Sequence, residues 1–109
     1  MPAIRDFHAH IYFDPEQLSE AQAFARAAQA RFGVPVGHFH LRPVGPHPRG
    51  SCQLTIGKDQ LTDVVSWLVL NRKGLTVFTH AQTGNALKDH TDHVIWLGPS
   101  ETLKLDQFR

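Results

Sequence analysis

Apolar and polar positions alternate strictly through Phe7-His8-Ala9-His10-Ile11-Tyr12-Phe13. Phe7, Ala9, Ile11 and Phe13 share one face, and His8, His10 and Tyr12 share the other. A period of two predicts a β-strand with an apolar side and an imidazole side. The period then lengthens. Asp14-Pro15-Glu16-Gln17 combines an N-cap, a proline suited to the first helical position and a glutamine that can reach back to the cap. Leu18, Ala21, Ala25, Ala28 and Phe32 follow along one helical stripe, and Gly33 is a natural terminator, so residues 15–32 are predicted to be helix.

Alternation returns at Gly37-His38-Phe39-His40-Leu41, which predicts a second strand over residues 34–41 with His38 and His40 on one side. Residues 42–50 hold three prolines and two glycines and must be a constrained loop, with His47 near its middle. A third strand spans 51–56, with Cys52, Leu54 and Ile56 inward and Ser51, Gln53 and Thr55 on the polar face. Asp59 caps a second helix whose inner stripe is Leu61, Val64, Val65 and Leu68; Lys73 and Gly74 close it. In a fourth strand at 75–80, Leu75, Val77 and Thr79 alternate with Thr76, Phe78 and His80. A turn is expected at 81–85, a short fifth strand at 94–97, and an aperiodic tail at 99–109 that packs along an edge or a partner.

Strand, helix, strand, strand, helix, strand is the order of a ferredoxin-like split βαβ sandwich, an α+β fold. Two helices then cover one face of an antiparallel sheet. The opposite face gathers His8, His10, Tyr12, His38, His40, Phe78 and His80. In this arrangement the first and third strands are central and the fourth lies beside the first, which brings His80 next to His8 or His10. Such a face is not left bare, so loops or a second copy must cover it; a homodimer is the expectation.

Composition narrows the function. A chain of 109 residues suits one domain over 1–109. The net charge is +1 and no basic tract exists, so nothing favours nucleic acid or an acidic membrane surface. The longest apolar stretch, at 64–70, is short and broken by Ser66, so no membrane span is expected. Arg5, Asp6 and His8 come before any apolar run, unlike a signal peptide, and the single Cys52 forbids an internal disulfide, which fits a reducing cytoplasm.

The unusual component is histidine, with eight residues in clusters. Residues two apart on a strand stand roughly 6.5–7 Å apart on one face, close enough for two imidazoles to share a metal. His8, His10 and His80 form the best geometric set, followed by His40 and His90. His38 reads as an outer edge residue and His47 as a loop-ordering one. His93 can pair with Asp89 or Asp92. Imidazole ligands suit zinc, iron, copper or nickel, and a lone inward Cys52 argues against a thiolate site. A carboxylate ligand would have to come from Asp6, Asp89 or Asp92; none stands obviously within the cluster.

The combined motifs resemble the DOPA 4,5-dioxygenase family in its small fungal and bacterial form. They are His8-Ala9-His10-Ile11-Tyr12-Phe13; His38-Phe39-His40 with Pro43-Val44-Gly45-Pro46-His47-Pro48; Thr79-His80 with Thr83-Gly84; and Asp89-His90-Thr91-Asp92-His93 with Trp96-Leu97-Gly98. The resemblance implies extradiol cleavage of a catechol such as DOPA or caffeate, with non-haem Fe(II) and O₂. It places His8, His10, His40, His80 and His90 at family-typical positions; with His8, His10 and His40 as the expected metal ligands, His80 or His90 would be the acid–base. Tyr12 and Phe78 would flank the substrate ring, and Arg42 or Arg49 would meet a substrate carboxylate. The residues alone leave two alternatives open: a zinc-dependent hydrolase or lyase, and a non-catalytic module that binds a metal or small ligand.

Overall fold

Residues 3–109 are described in a computed structural model. The alternating N-terminal segment forms β1 (Asp6–Tyr12), which is paired on both sides. One neighbour is β2 (Ser51–Gly57) and the other is β3 (Thr76–Gln82); β4 (Val94–Leu97) pairs beyond β3. The sheet order is β2-β1-β3-β4, with every pair antiparallel. This is the expected ferredoxin-like α+β arrangement, with β4 added beside the fourth expected strand.

The first helix begins as a 3-10 turn at Pro15–Gln17 and continues as α1 (Leu18–Phe32). The Gln17 side chain accepts the Asp14 amide at 2.9 Å. Gly33 ends the helix at φ 71° with its amide on the Gln29 carbonyl at 2.8 Å, a left-handed conformation that costs glycine little. The second helix, α2 (Leu61–Asn71), also begins with a 3-10 turn, at Lys58–Gln60. There Gln60, rather than the expected Asp59, makes the cap bond, accepting the Gly57 amide at 3.2 Å. Lys73, not Gly74, takes the left-handed turn after α2, at φ 53°. Both helices pack on the face that carries Ala9, Ile11, Cys52, Leu54, Ile56 and Val77.

Two elements differ from the sequence expectation. Residues 34–41 are not a regular strand. They touch β2 through two isolated bridges, Val36 with Leu54 and His40 with Ser51. Four steps along this segment match three along β2, so one residue is extra, as in a bulge, and the ladder cannot continue. Pro35 also lacks an amide proton for such a ladder. The other difference is α3 (Ala86–Thr91), which occupies part of the stretch left unassigned. Asn85 caps it, its side chain accepting the Lys88 amide at 3.1 Å.

The imidazole face is covered by the chain's own segments. The proline-rich loop lays His47 on it, α3 lays His90 on it, and the C-terminal tail stacks Phe108 on His90 with ring centroids 4.5 Å apart. The tail is tied to the loop by the Lys104 amide on the Pro46 carbonyl, at 2.8 Å.

Gly50 is where the irregular segment, the loop and β1 come closest. A Cβ there would stand 2.8 Å from the His40 carbonyl oxygen and 3.0 Å from that of Phe13. Gly50→Ala is therefore expected to destabilise the protein by about 1–3 kcal/mol, since rigid backbone must move. Denaturant unfolding followed by circular dichroism checks this; an unchanged midpoint would show that the segment is not held against the loop.

Candidate metal centre

The pleat of β1 aims His8, His10 and Tyr12 away from the helices. Antiparallel register sets His8 directly opposite His80, and His10 opposite Phe78, on β3. Side chains on one face of adjacent strands meet across such pairs and their diagonals. His8, His10 and His80 consequently converge: one ring nitrogen from each lies within 4.8 Å of the others. The Nε2 atoms of His10 and His80 are 3.1 Å apart. Two nitrogens, each about 2.1 Å from one ion, would stand at about this separation if they bound at a right angle.

The surroundings fix the ring orientations. His80 Nδ1 donates to the Ala81 carbonyl at 3.0 Å, which in the neutral ring leaves Nε2 as the lone-pair nitrogen facing His10. A carbonyl on the far nitrogen is the arrangement that orients metal-binding imidazoles. Burial keeps the rings neutral. It pulls the His80 pKa down to about 4 against the opposing pull of the Ala81 carbonyl, with His90 adding to the decrease. Burial, then the neighbouring His47 and His80, holds His10 well below the ordinary imidazole value. Half-buried His8 is lowered too, chiefly by burial and despite Asp6. Neutral, oriented nitrogens are what a metal requires, so this donor set fits a divalent transition metal.

A second layer closes over the three. The His47 ring lies 4.1 Å from that of His10, and its Nδ1 is 2.8 Å from the Tyr12 hydroxyl. Burial, with His90, His80 and His40 behind it, lowers His47 to about 4, while burial and then Glu101 raise the Tyr12 phenol. Tyr12 therefore stays protonated and donates to His47 Nδ1. The His90 ring sits 4.2 Å from His80, and its Nδ1 donates to the Ala86 carbonyl at 2.7 Å. Trp96 stacks on Phe78 at 4.5 Å. A cleft of about 210 Å³ adjoins the group at His10, and His38, His40, His47 and Gln53 also line it.

Several expected site residues lie elsewhere. His40 is outside the three-histidine group: its backbone is bonded to Ser51, beyond β2, two strands from β3. Tyr12 and Phe78 have no exposed surface, so they wall the site rather than face its cleft. Arg42 is exposed, and Arg49 is already engaged, bidentate to Glu101 at 2.8 and 3.1 Å and bonded to Asp14 at 3.2 Å. Buried Asp89 accepts from the Thr83 hydroxyl and amide and pairs with His93 Nδ1 at 2.8 Å. Those bonds outweigh the upward effect of burial and keep its pKa below the usual carboxylate value. The group remains all-histidine. The sequence reading undervalued His47, and the signal lay in its loop: three prolines make a segment stiff enough to hold a ring in place.

The model of the Dopa 4,5-dioxygenase family matches residues 7–107. The chain belongs to this family. A DOPA 4,5-dioxygenase of Amanita muscaria is 33% identical over an alignment that covers 94% of this chain and 49% of that protein. An uncharacterised 21.2 kDa protein of Botryotinia fuckeliana is 32% identical, with 92% and 60% covered. The chain thus spans about half to three-fifths of the curated relatives it matches. Among solved structures, a candidate dioxygenase of Nostoc punctiforme superimposes with a TM-score of 0.91 at 40% identity, over 94% of this chain and 90% of that one. No helix among the described residues is long and apolar enough to cross a membrane.

The lowered imidazole values set a pH dependence. As pH falls, the unfolded chain takes up protons near 6.5, before the folded cluster does, so stability is lost between about pH 6.5 and 4. Asp89 acts in the same direction at still lower pH. The thermal midpoint of the metal-free protein is expected to decline through this window; a flat profile would mean that the rings are hydrated rather than buried and neutral.

Proposed function

We propose that this protein is an extradiol ring-cleaving dioxygenase that opens a catechol with O₂, using Fe(II) held by His8, His10 and His80. The observation that carries the reading is the convergence of three neutral imidazoles, with no carboxylate among them, beneath an aromatic cover. Family membership supports the chemistry. Zinc fits the same nitrogens but exchanges no electrons, whereas cleavage by O₂ requires a redox-active metal. When bound, the iron would gather both catechol oxygens and O₂ and lower the pKa of the hydroxyls. Overall a ring carbon–carbon bond beside the diol breaks, and both atoms of O₂ enter the product. No external reductant is consumed.

The chain's own residues supply the proton steps. His90, whose Nδ1 proton is committed to Ala86, presents Nε2 as a base for a catechol hydroxyl and later as the acid. His47, with Nδ1 occupied by Tyr12, carries its proton on Nε2 and acts as a hydrogen-bond donor beside His10. Phe78, Trp96 and Phe108 keep water away from these exchanges.

The test joins metal content to oxygen consumption. Protein loaded anaerobically with Fe(II) is expected to retain about one equivalent and, on admission of air with a catechol, to take up O₂ and form a yellow product. His10→Ala and His80→Ala should lose both the metal and the uptake. His90→Gln should keep the metal and lose about 10²–10⁴-fold in rate. Stoichiometric iron without uptake on DOPA, caffeate or protocatechuate would refute the dioxygenase reading. Retention of iron by both alanine variants would refute the ligand set.

A further inference from the structure

Asp89 is the one buried residue of α3, at 2% exposure. Among the described residues, those that form the apolar core or pack against it include none from α3. A six-residue helix does not hold itself in water, and most helices are held by an apolar face. α3 is held by a carboxylate instead. Asp89 Oδ2 accepts the Thr83 amide at 2.8 Å, and Oδ1 accepts the Thr83 hydroxyl at 2.6 Å and His93 Nδ1 at 2.8 Å. An ionised carboxylate only accepts, so the His93 proton stands on Nδ1. Bonds to an ionised group are roughly twice as strong as neutral ones.

Thr83 and His93 join α3 to the strands on either side of it in the chain. Thr83 directly follows β3, which carries His80. His93 directly precedes β4, and its carbonyl accepts the Ala81 amide at 3.0 Å. The Ala81 carbonyl in turn accepts His80 Nδ1, also at 3.0 Å. The His90 ring is fixed to α3 itself, because its Nδ1 donates to the Ala86 carbonyl one turn earlier, at 2.7 Å. The ring therefore travels with the helix. Where the helix sits against β3 sets the 4.2 Å between the His90 and His80 rings. The Asn85 cap bond runs to Lys88, so it shapes α3 without tying it to the sheet.

We infer that Asp89 is a positioning residue: through Thr83 and His93 it holds α3 on the sheet and so keeps His90 against His80. Asp89 lies outside the three-histidine group, and three donors already engage its oxygens, so it acts through His90 rather than on the metal. The effect on turnover rests on the reading of His90 as the acid–base; the placement of the ring does not.

The test reads the position of the His90 ring as well as turnover. Ring currents from His80 and Phe108 displace the carbon-bound proton resonances of His90, so proton NMR of the metal-free protein reports that ring directly, with His90→Gln giving the assignment. In Asp89→Asn and in His93→Ala these resonances are expected to move toward those of an exposed histidine, while those of His8 and His10 hold their place. Loaded with Fe(II), both variants should keep about one equivalent of iron and lose about 10²-fold in kcat with KM little changed. His93→Asn, which returns an N–H to the place of Nδ1, should restore both readouts. An unmoved His90 resonance in either variant, unchanged turnover despite a moved ring, loss of the iron, or His93→Asn behaving as His93→Ala overturns the inference. If Asp89→Asn does not fold, the two His93 variants decide. If the unsubstituted protein consumes no O₂ with any catechol, the dioxygenase reading falls and the resonances still decide the placement of His90.

Discussion

Two imidazole nitrogens 3.1 Å apart in a buried place constrain everything around them. They cannot both point a proton at the other. With His80 Nδ1 committed to the Ala81 carbonyl, the shared space between Nε2 atoms holds either one proton, on His10, or an ion. Either way the rings must be neutral, oriented and held rigidly. Burying them without a partner costs on the order of 1–3 kcal/mol per unmet group. The register between β1 and β3 creates the site, and the hydrophobic face behind it supplies the stability that makes such burial tolerable.

That register follows from alternation. Ala9, Ile11 and Val77 face the helices, and a one-residue shift of β1 would put His8 and His10 where Ala9 and Ile11 stand. The apolar core thus fixes which nitrogens meet. The covering layer is held by different forces: Arg49 ties the loop to Glu101 in the tail and to Asp14 before α1, and the Arg49 cation lies 5.9 Å from the centre of the Tyr12 ring. The hydrogen bond and charge of Glu101 keep Arg49 firmly protonated. Because each ion pair is partly exposed, this cover is weaker than the sheet beneath it.

What the sequence disclosed followed the strength of local pattern. Period two at 7–13 and at 75–80 was enough to place His8, His10 and His80 on one face, and the order of elements was enough to set β3 beside β1. The slip at 34–41 was hidden, because His38-Phe39-His40 alternates perfectly while the disruption lies in how it pairs with β2. Alternation reports which side a residue faces, not whether a neighbour is in step. Likewise α3 is only six residues long, too short for a helical period to stand out, and its one clear signal was Asn85. His47 and Phe108 reach the site from loop and tail, where no periodicity exists to report direction.

The irregular segment lies beside the cleft that His10 and His47 help to line. A regular second strand would extend the sheet past β2 and draw His38 and His40 into its ladder. One surplus residue instead leaves the segment bonded to β2 at Thr55, Gln53 and Ser51 without a continuous ladder. The three-histidine group depends on the strictest part of the fold, whereas the segment beside it departs from regular pairing. A change at His80 would remove one nitrogen of the three-histidine group, whereas a change at His38 would leave that group intact.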